Sequence, residues 1–197
     1  MRNLGLAVGL ALALAAPAHA LSLPKDGTLS FDVIRKGIDI GDHSYRFSGS
    51  KNAFSVQVAT DIAVKIPLIR TNVYSFNHNS TEQWRAGNLQ SLSSKTNDDG
   101  TPHQLSTPAK GALPASLWND DIVRSNKLMN TIDGKIMSVR VVDLGQERVQ
   151  TKRGKVNAHH YRLSGGLARD LWYDGDGNLA RVAFKADDGS TVTYIRK

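Results

Sequence analysis

Ala53–Ile66 reads AFSVQVATDIAVKI. Phe54, Val56, Val58, Thr60, Ile62, Val64 and Ile66 share one parity, and Ser55, Gln57, Ala59, Asp61, Ala63 and Lys65 share the other. Side chains alternate between the two faces of a strand, so the stretch predicts one long β-strand with a buried face and a wet face. At about 3.3 Å per residue it would reach roughly 43 Å, longer than a usual strand, so a bend midway is expected. Pro67 cannot donate a ladder hydrogen bond and should end it.

The same alternation extends in both directions. LSFDVIRK places Leu29, Phe31 and Val33 on one face, and HSYRFSG does the same for His43, Tyr45 and Phe47. IRTNVYSFNH sets Tyr74 and Phe76 opposite Ile69, Thr71 and Val73. MSVRVVDLG, ERVQT, VNAHHYRLSG, DLWYD, LARVAFKA and STVTYIRK follow, many separated by short polar turns such as NDDG, IDG, KRG and DDG. Adjacent strands joined by such turns must be antiparallel. In VNAHHYRLSG, Val156 and Ala158 share a parity that Tyr161 and Leu163 do not. A bulge near His159–His160 would restore one apolar face, and a strand apolar on both faces is the alternative. One stretch, LPASLWNDDIVRSNKLMN, suggests a short helix around 115–130, with Ser116 as cap and Asp120 and Asp121 in its first turns. The expected fold is therefore mainly β: a long, curved, half-barrel-like antiparallel meander in one domain, residues 21–197, with one short helical insertion.

Residues 1–20, MRNLGLAVGLALALAAPAHA, have one positive charge, an apolar run and Ala18-His19-Ala20. These are the parts of a secretory signal peptide, with cleavage expected after Ala20. The apolar run is too short for a membrane span, which takes about 20 residues. Export implies a periplasmic protein. The chain has no cysteine, which excludes thiol catalysis, cysteine–zinc sites and iron–sulfur clusters. The formal charge is +7, with 25 basic and 18 acidic side chains scattered along the chain. The one dense basic patch, Arg148–Arg162, is centred on KRG and reads as an exposed hairpin tip.

Leu171–Phe184, LWYDGDGNLARVAF, carries the loudest motif. A calcium loop starting at Asp174 would need Gly at position six and Glu at position twelve, but Leu179 and Lys185 stand there. A dinucleotide loop must open a helix, whereas LARVAFKA alternates like a strand. Asp174–Asn178 is therefore expected to be a hairpin turn.

FDVIRKGIDIGDHSYRFSG, TEQWRAGNLQSLSSKTNDDG, LPASLWND, LMNTIDGKIMSVRVVDLG and YRLSGGLARDLWYDGDGNLARVAF together resemble an uncharacterised family of exported bacterial proteins, a domain of unknown function. The combination of Glu82-x-Trp84-x-x-Gly87-x-Leu89 with LWYD-x-x-G-x-L is its most specific part. More distantly, the run of long strands is similar to periplasmic lipoprotein-localisation carriers, which wrap a curved sheet around a hydrophobic cavity closed by helices. This chain carries much less helix than they do. The resemblance supplies no catalytic residues.

Little in the sequence points to chemistry. His159 and His160 are adjacent, so on a strand they face opposite ways, and no H-E-x-x-H or G-x-S-x-G is present. His43, His78 and His103 are scattered. Asp98-Asp99 and Asp187-Asp188 precede glycines in turns, and Asp120-Asp121 suits a helix start. Trp84, Trp118 and Trp172 either anchor the core or line a groove. The expected function is non-enzymatic: binding an apolar or amphipathic ligand, or a partner protein, on a curved sheet. Tyr74, Phe76, Trp84 and Trp118 are the expected ligand-binding residues. No catalytic residue, metal or cofactor is expected. The partners would be a lipid or other apolar ligand or an envelope protein, with peripheral membrane contact and no nucleic acid. The alternative is a periplasmic hydrolase with a dispersed Ser/His/Asp site.

Overall fold

A computed structural model describes residues 21, 23–65 and 72–197. Residues 1–20, read above as a signal peptide, and Ile66, Pro67, Ile69 and Thr71 lie outside them. Thirteen strands follow in chain order: β1 Thr28–Arg35, β2 Ile38–Ser50, β3 Ala53–Lys65, β4 Asn72–Arg85, β5 Asn88–Asp98, β6 Thr101–Pro108, β7 Leu113–Pro114, β8 Lys127–Met129, β9 Ile136–Thr151, β10 Gly154–Gly165, β11 Arg169–Asp174, β12 Leu179–Lys185 and β13 Thr191–Arg196. They form one curved, unclosed sheet in the order β6-β5-β4-β3-β2-β1-β13-β12-β11-β10-β9-β8-β7. Two meanders, antiparallel throughout except for the β7–β8 pair, thus join where β1 pairs with β13. The chain leaves one edge at β6 and re-enters at the other as β7 after only four residues, 109–112, and the segment that follows, 113–129, lies across the inner core.

Alternation decides which side chains face inward. Phe54, Val56, Val58, Thr60 and Ile62 of β3 are buried, whereas Gln57, Ala59 and Asp61 are exposed. The inner face is continued by Phe31, Tyr45, Leu92, Leu163, Leu171, Leu179 and Val182, all nearly inaccessible to solvent. Trp118, Ile122, Leu128 and Met129 of the crossing segment pack onto the same core. Lys36-Gly37, Ala86-Gly87 and Asp99-Gly100 carry positive φ at both positions. These two-residue turns match the right-handed strand twist and close three of the hairpins.

Three sequence expectations are refined. The helix expected around 115–130 is a single 3-10 turn, Asp120–Arg124, flanked by the two short strands β7 and β8, which pair in parallel. Its N-cap is Asn119 rather than Ser116: Asn119 Oδ1 accepts from the Asp121 amide at 2.9 Å. Ser116 and Leu117 are committed elsewhere, because their carbonyls accept the buried hydroxyls of Tyr45 (2.5 Å) and Tyr173 (2.7 Å). Leu117 holds φ of 71°, which no continuing helix allows. MSVRVVDLG and ERVQT are one strand, β9. The expected bulge near His160 exists, but the extra residue is Leu144 on β9, because His160 pairs with Gly145 and Tyr161 with Asp143. Strand β10 keeps its alternation and is apolar on both faces. Leu163 joins the inner core, while Ala158 joins Val149, Trp172, Ala180 and Ala183 in a small outer cluster.

Asp174–Asn178 is the expected turn. Asp174 Oδ1 accepts the amides of Asp176 and Asn178, each at 3.0 Å, and Oδ2 receives Arg196 Nη1 at 2.6 Å. Gly177 has φ of 76°, whereas Gly175 has no positive φ and open space around its Cα. Gly177→Val should therefore lower stability by about 1–3 kcal/mol, the cost of a side chain in the left-handed region. Gly175→Val should melt close to wild type. Thermal melts of the two single variants check this.

Candidate functional site

Inside the curve, β4 presents Phe76, His78, Ser80, Glu82 and Trp84 on one face. Glu82 is completely buried and Trp84 is 2% exposed. Glu82 Oε2 accepts two indole N–H bonds, from Trp84 at 2.8 Å and from Trp118 at 2.9 Å. The Trp84 and Trp118 rings meet edge to face at 5.3 Å, and Phe54 stacks beside Trp84 at 6.0 Å. Burial pushes the Glu82 carboxyl up, against the two indole donors and Ser116, which favour its charged form. The Glu82-x-Trp84 motif is thus a clamp that fastens the crossing segment to the sheet.

Beyond this clamp, at the seam between the two ends of the sheet, lies an open groove of about 840 Å3. Its apolar wall includes Trp84, Leu89, Leu113, Val123, Val139 and Val141. Its charged wall consists of Arg124, Lys127 and Arg140, with no acidic residue among the lining groups. Arg124 is paired with Asp121. Lys127 and Arg140 have no ion pair among the described residues. The chemistry of such a groove suits an amphipathic anion: apolar surface for a chain, cations for a head group.

The four residues expected to bind ligand separate. Trp84 and Trp118 come together in the clamp, and Trp84 also lines the groove. Tyr74 lies further along β4, where its hydroxyl donates to Asp98 Oδ1 at 2.9 Å. Phe76 stacks on His78 at 6.2 Å and faces a separate, smaller cavity. Lys127, Arg140 and Val139 were not singled out by sequence reasoning. Val139 and Val141 share a parity, but only the curvature of the sheet brings β9 opposite the β4–β5 turn. Glu82 was visible only as half of a motif; the signal was an acidic residue sharing the inward parity of Trp84.

The histidines sort into separate pairs. His43 Nδ1 and Thr60 Oγ1 are 2.7 Å apart, as are His78 Nδ1 and Thr96 Oγ1, both within the buried inner face. Burial pulls His43 down to about 3 and lowers His78 as well, so both rings are neutral at pH 7. His159 reaches Asp143, and His160 reaches Glu147 and Asp170. The imidazoles that contact carboxylates are not those that contact hydroxyls, so among the described residues no hydroxyl–imidazole–carboxylate chain forms. Trp172, on the outer face, stacks on His160 at 4.1 Å and donates to Glu147 Oε1 at 2.7 Å.

Glu82 supplies a test of the clamp. Glu82→Leu leaves two buried indole N–H groups without an acceptor and should cost about 2–6 kcal/mol, at roughly 1–3 kcal/mol for each. Glu82→Gln keeps an acceptor oxygen without the charge. A carboxyl whose folded value is raised above 4.5 binds its proton more tightly when folded, so wild-type stability should fall as pH rises above that value. The Gln variant should lack this fall and match or exceed the wild type at pH 7. Denaturant unfolding of the three proteins from pH 4 to 8 checks both effects.

No curated protein sequence matches the chain. Among solved structures, the fold is similar to a β-barrel-like protein of the domain of unknown function DUF1849 from Brucella abortus, with a TM-score of 0.60. The match covers 86% of this chain and 94% of that one at 8% identity, a likeness of fold alone. The model of the domain of unknown function DUF6134 matches residues 31–197, and the chain belongs to that family.

Proposed function

We propose that the protein is an exported, non-enzymatic binding module that holds an amphipathic anion in the groove at the seam of the sheet. The observation that carries this reading is the asymmetry of the groove: apolar Trp84, Leu89, Leu113, Val123, Val139 and Val141 against the cations Arg124, Lys127 and Arg140, with no lining carboxylate. The inner core of the curve is occupied by the chain's own crossing segment, so the ligand is held at the seam rather than swallowed by the sheet. Periplasmic residence rests on the export signal read in residues 1–20. We infer the same ligand class, a fatty-acyl or phospholipid-like amphiphile, from the distant resemblance that the run of long strands bears to lipoprotein-localisation carriers.

Two measurements test the reading. Dansyl-undecanoic acid titrated into the protein should gain fluorescence saturably. Lys127→Glu with Arg140→Glu should weaken its binding about tenfold, from roughly 0.7 kcal/mol for each reversed charge at a partly exposed site. Absence of saturable binding, or equal affinity in the double variant, overturns the groove assignment. Mass spectrometry of the protein recovered from its native cell envelope should find Leu21 as the first residue, and a retained Met1 overturns export.

A further inference from the structure

A second space lies apart from the groove, deeper under the crossing segment. It has a volume of about 120 Å3 and is lined by residues from both halves of the sheet, among them His43, Phe76 and His78 from one meander and Arg169, Phe184 and Tyr194 from the other. At about 30 Å3 per water it has room for roughly four waters, or for one small organic anion.

Two polar groups in it are incompletely satisfied. Arg169 makes one side-chain hydrogen bond, from Nη1 to the carbonyl of Ala168 at 2.7 Å, and no ion pair among the described residues. Residues 1–22 and 66–71 contain no Asp or Glu, so no acidic side chain in the undescribed segments is available to it. Its guanidinium lies 3.9 Å from the centroid of the Phe184 ring, and burial lowers its pKa. His43 is 7% exposed, and its Nε2 is buried with no hydrogen-bond partner, while Nδ1 is engaged by Thr60. The two are linked through a chain of rings. Phe184 meets Tyr194 edge to face at 5.9 Å, and Tyr194 lies 5.0 Å from His43.

A cation without an ion pair and a buried imidazole nitrogen without a hydrogen-bond partner line the same small cavity, and each is costly unless something completes it. The guanidinium has a planar fork of donors that fits a carboxylate on two N–H groups. With the Thr60 hydroxyl donating to Nδ1, neutral His43 carries its proton on Nε2 and offers a further donor. Phe76, Val182 and Phe184 supply an apolar wall for a short carbon chain. We propose that this cavity binds a small monocarboxylate of about two to four carbons, with Arg169 and His43 holding the carboxylate and the aromatic wall holding the chain. The site is independent of the groove and of the ligand proposed there.

Propionate is the probe. Titrated into the wild-type protein, it should shift the His43 side-chain 15N resonances saturably, whereas an equal concentration of chloride should not. Arg169→Met keeps a long side chain over Phe184 and removes the charge; it should weaken propionate binding at least tenfold. Lys127→Glu with Arg140→Glu should leave propionate binding unchanged while weakening dansyl-undecanoic acid. The proposal is overturned if the wild type gives no saturable shift, if chloride reproduces it, or if Arg169→Met binds propionate as well as the wild type does. Should Arg169→Met fail to fold, butyrate and hexanoate against the wild type decide: a 120 Å3 cavity should admit the first and reject the second, and equal binding of both overturns the assignment.

Discussion

One carboxyl oxygen, Oε2 of Glu82, holds the crossing segment inside the curve of the sheet. It accepts from an indole on its own strand and from an indole on the segment that crosses the inner face. The interaction is demanding, because burying a carboxyl is costly, and of its two oxygens only Oε2 is met by the indole donors, Oε1 being buried without a partner among the described residues. Once Trp118 is docked this way, it packs against Phe47, Phe54 and Trp84, and the rest of the segment follows onto the core. Tyr45 and Tyr173 then reach the carbonyls of Ser116 and Leu117 from two different strands. Those bonds hold Leu117 in a left-handed conformation that costs on the order of 1–3 kcal/mol in a non-glycine residue.

An open, curved sheet has two problems: an apolar inner face and two free edges. Returning the chain from β6 to the opposite edge as β7 and β8 addresses both together. The stretch between β7 and β8 covers the inner core, and β7 and β8 extend the far edge with short pairings. The seam left between the ends is where groups distant in sequence meet. That is why Trp84 and Leu89 come to face Val139 and Arg140 across the groove.

The polar content of the inner face is organised by register. The pairings Thr60–His43, Thr60–His78 and His78–Thr96 set an alternating row of imidazoles and hydroxyls across β2, β3, β4 and β5. Each ring nitrogen that finds a hydroxyl is satisfied without a charge, and burial keeps the rings neutral. On the outer face His160 has the carboxylates of Glu147 and Asp170 as neighbours instead. The same residue type is thus a neutral core element on one face and a contact for carboxylates on the other.

The amino-acid sequence by itself determined most of the long strands, the faces of several and many of their turns, but not β5, β6, β7 or β8. Period-two alternation is a local property, so Phe54 to Ile62 could be assigned an inward face, and Asp174–Asn178 could be recognised as a turn from five residues. The resemblance carried by Glu82-x-Trp84 and LWYD-x-x-G-x-L pointed to a domain of unknown function, and the chain does belong to one. The tertiary structure alone decided the joining of β1 to β13, the crossing of the inner face and the two cavities. It also decided that Ser116 is not a cap and that the expected helix shrinks to one turn. Helix preference over 115–130 is worth only tenths of a kcal/mol per residue. Two tyrosine hydroxyls and a shared carboxylate oxygen, arriving from strands far away in the chain, outweigh it. The groove and the Arg169 cavity escape sequence reading because their walls are assembled by the curvature of the sheet, and no short-range pattern records which strand ends will face each other.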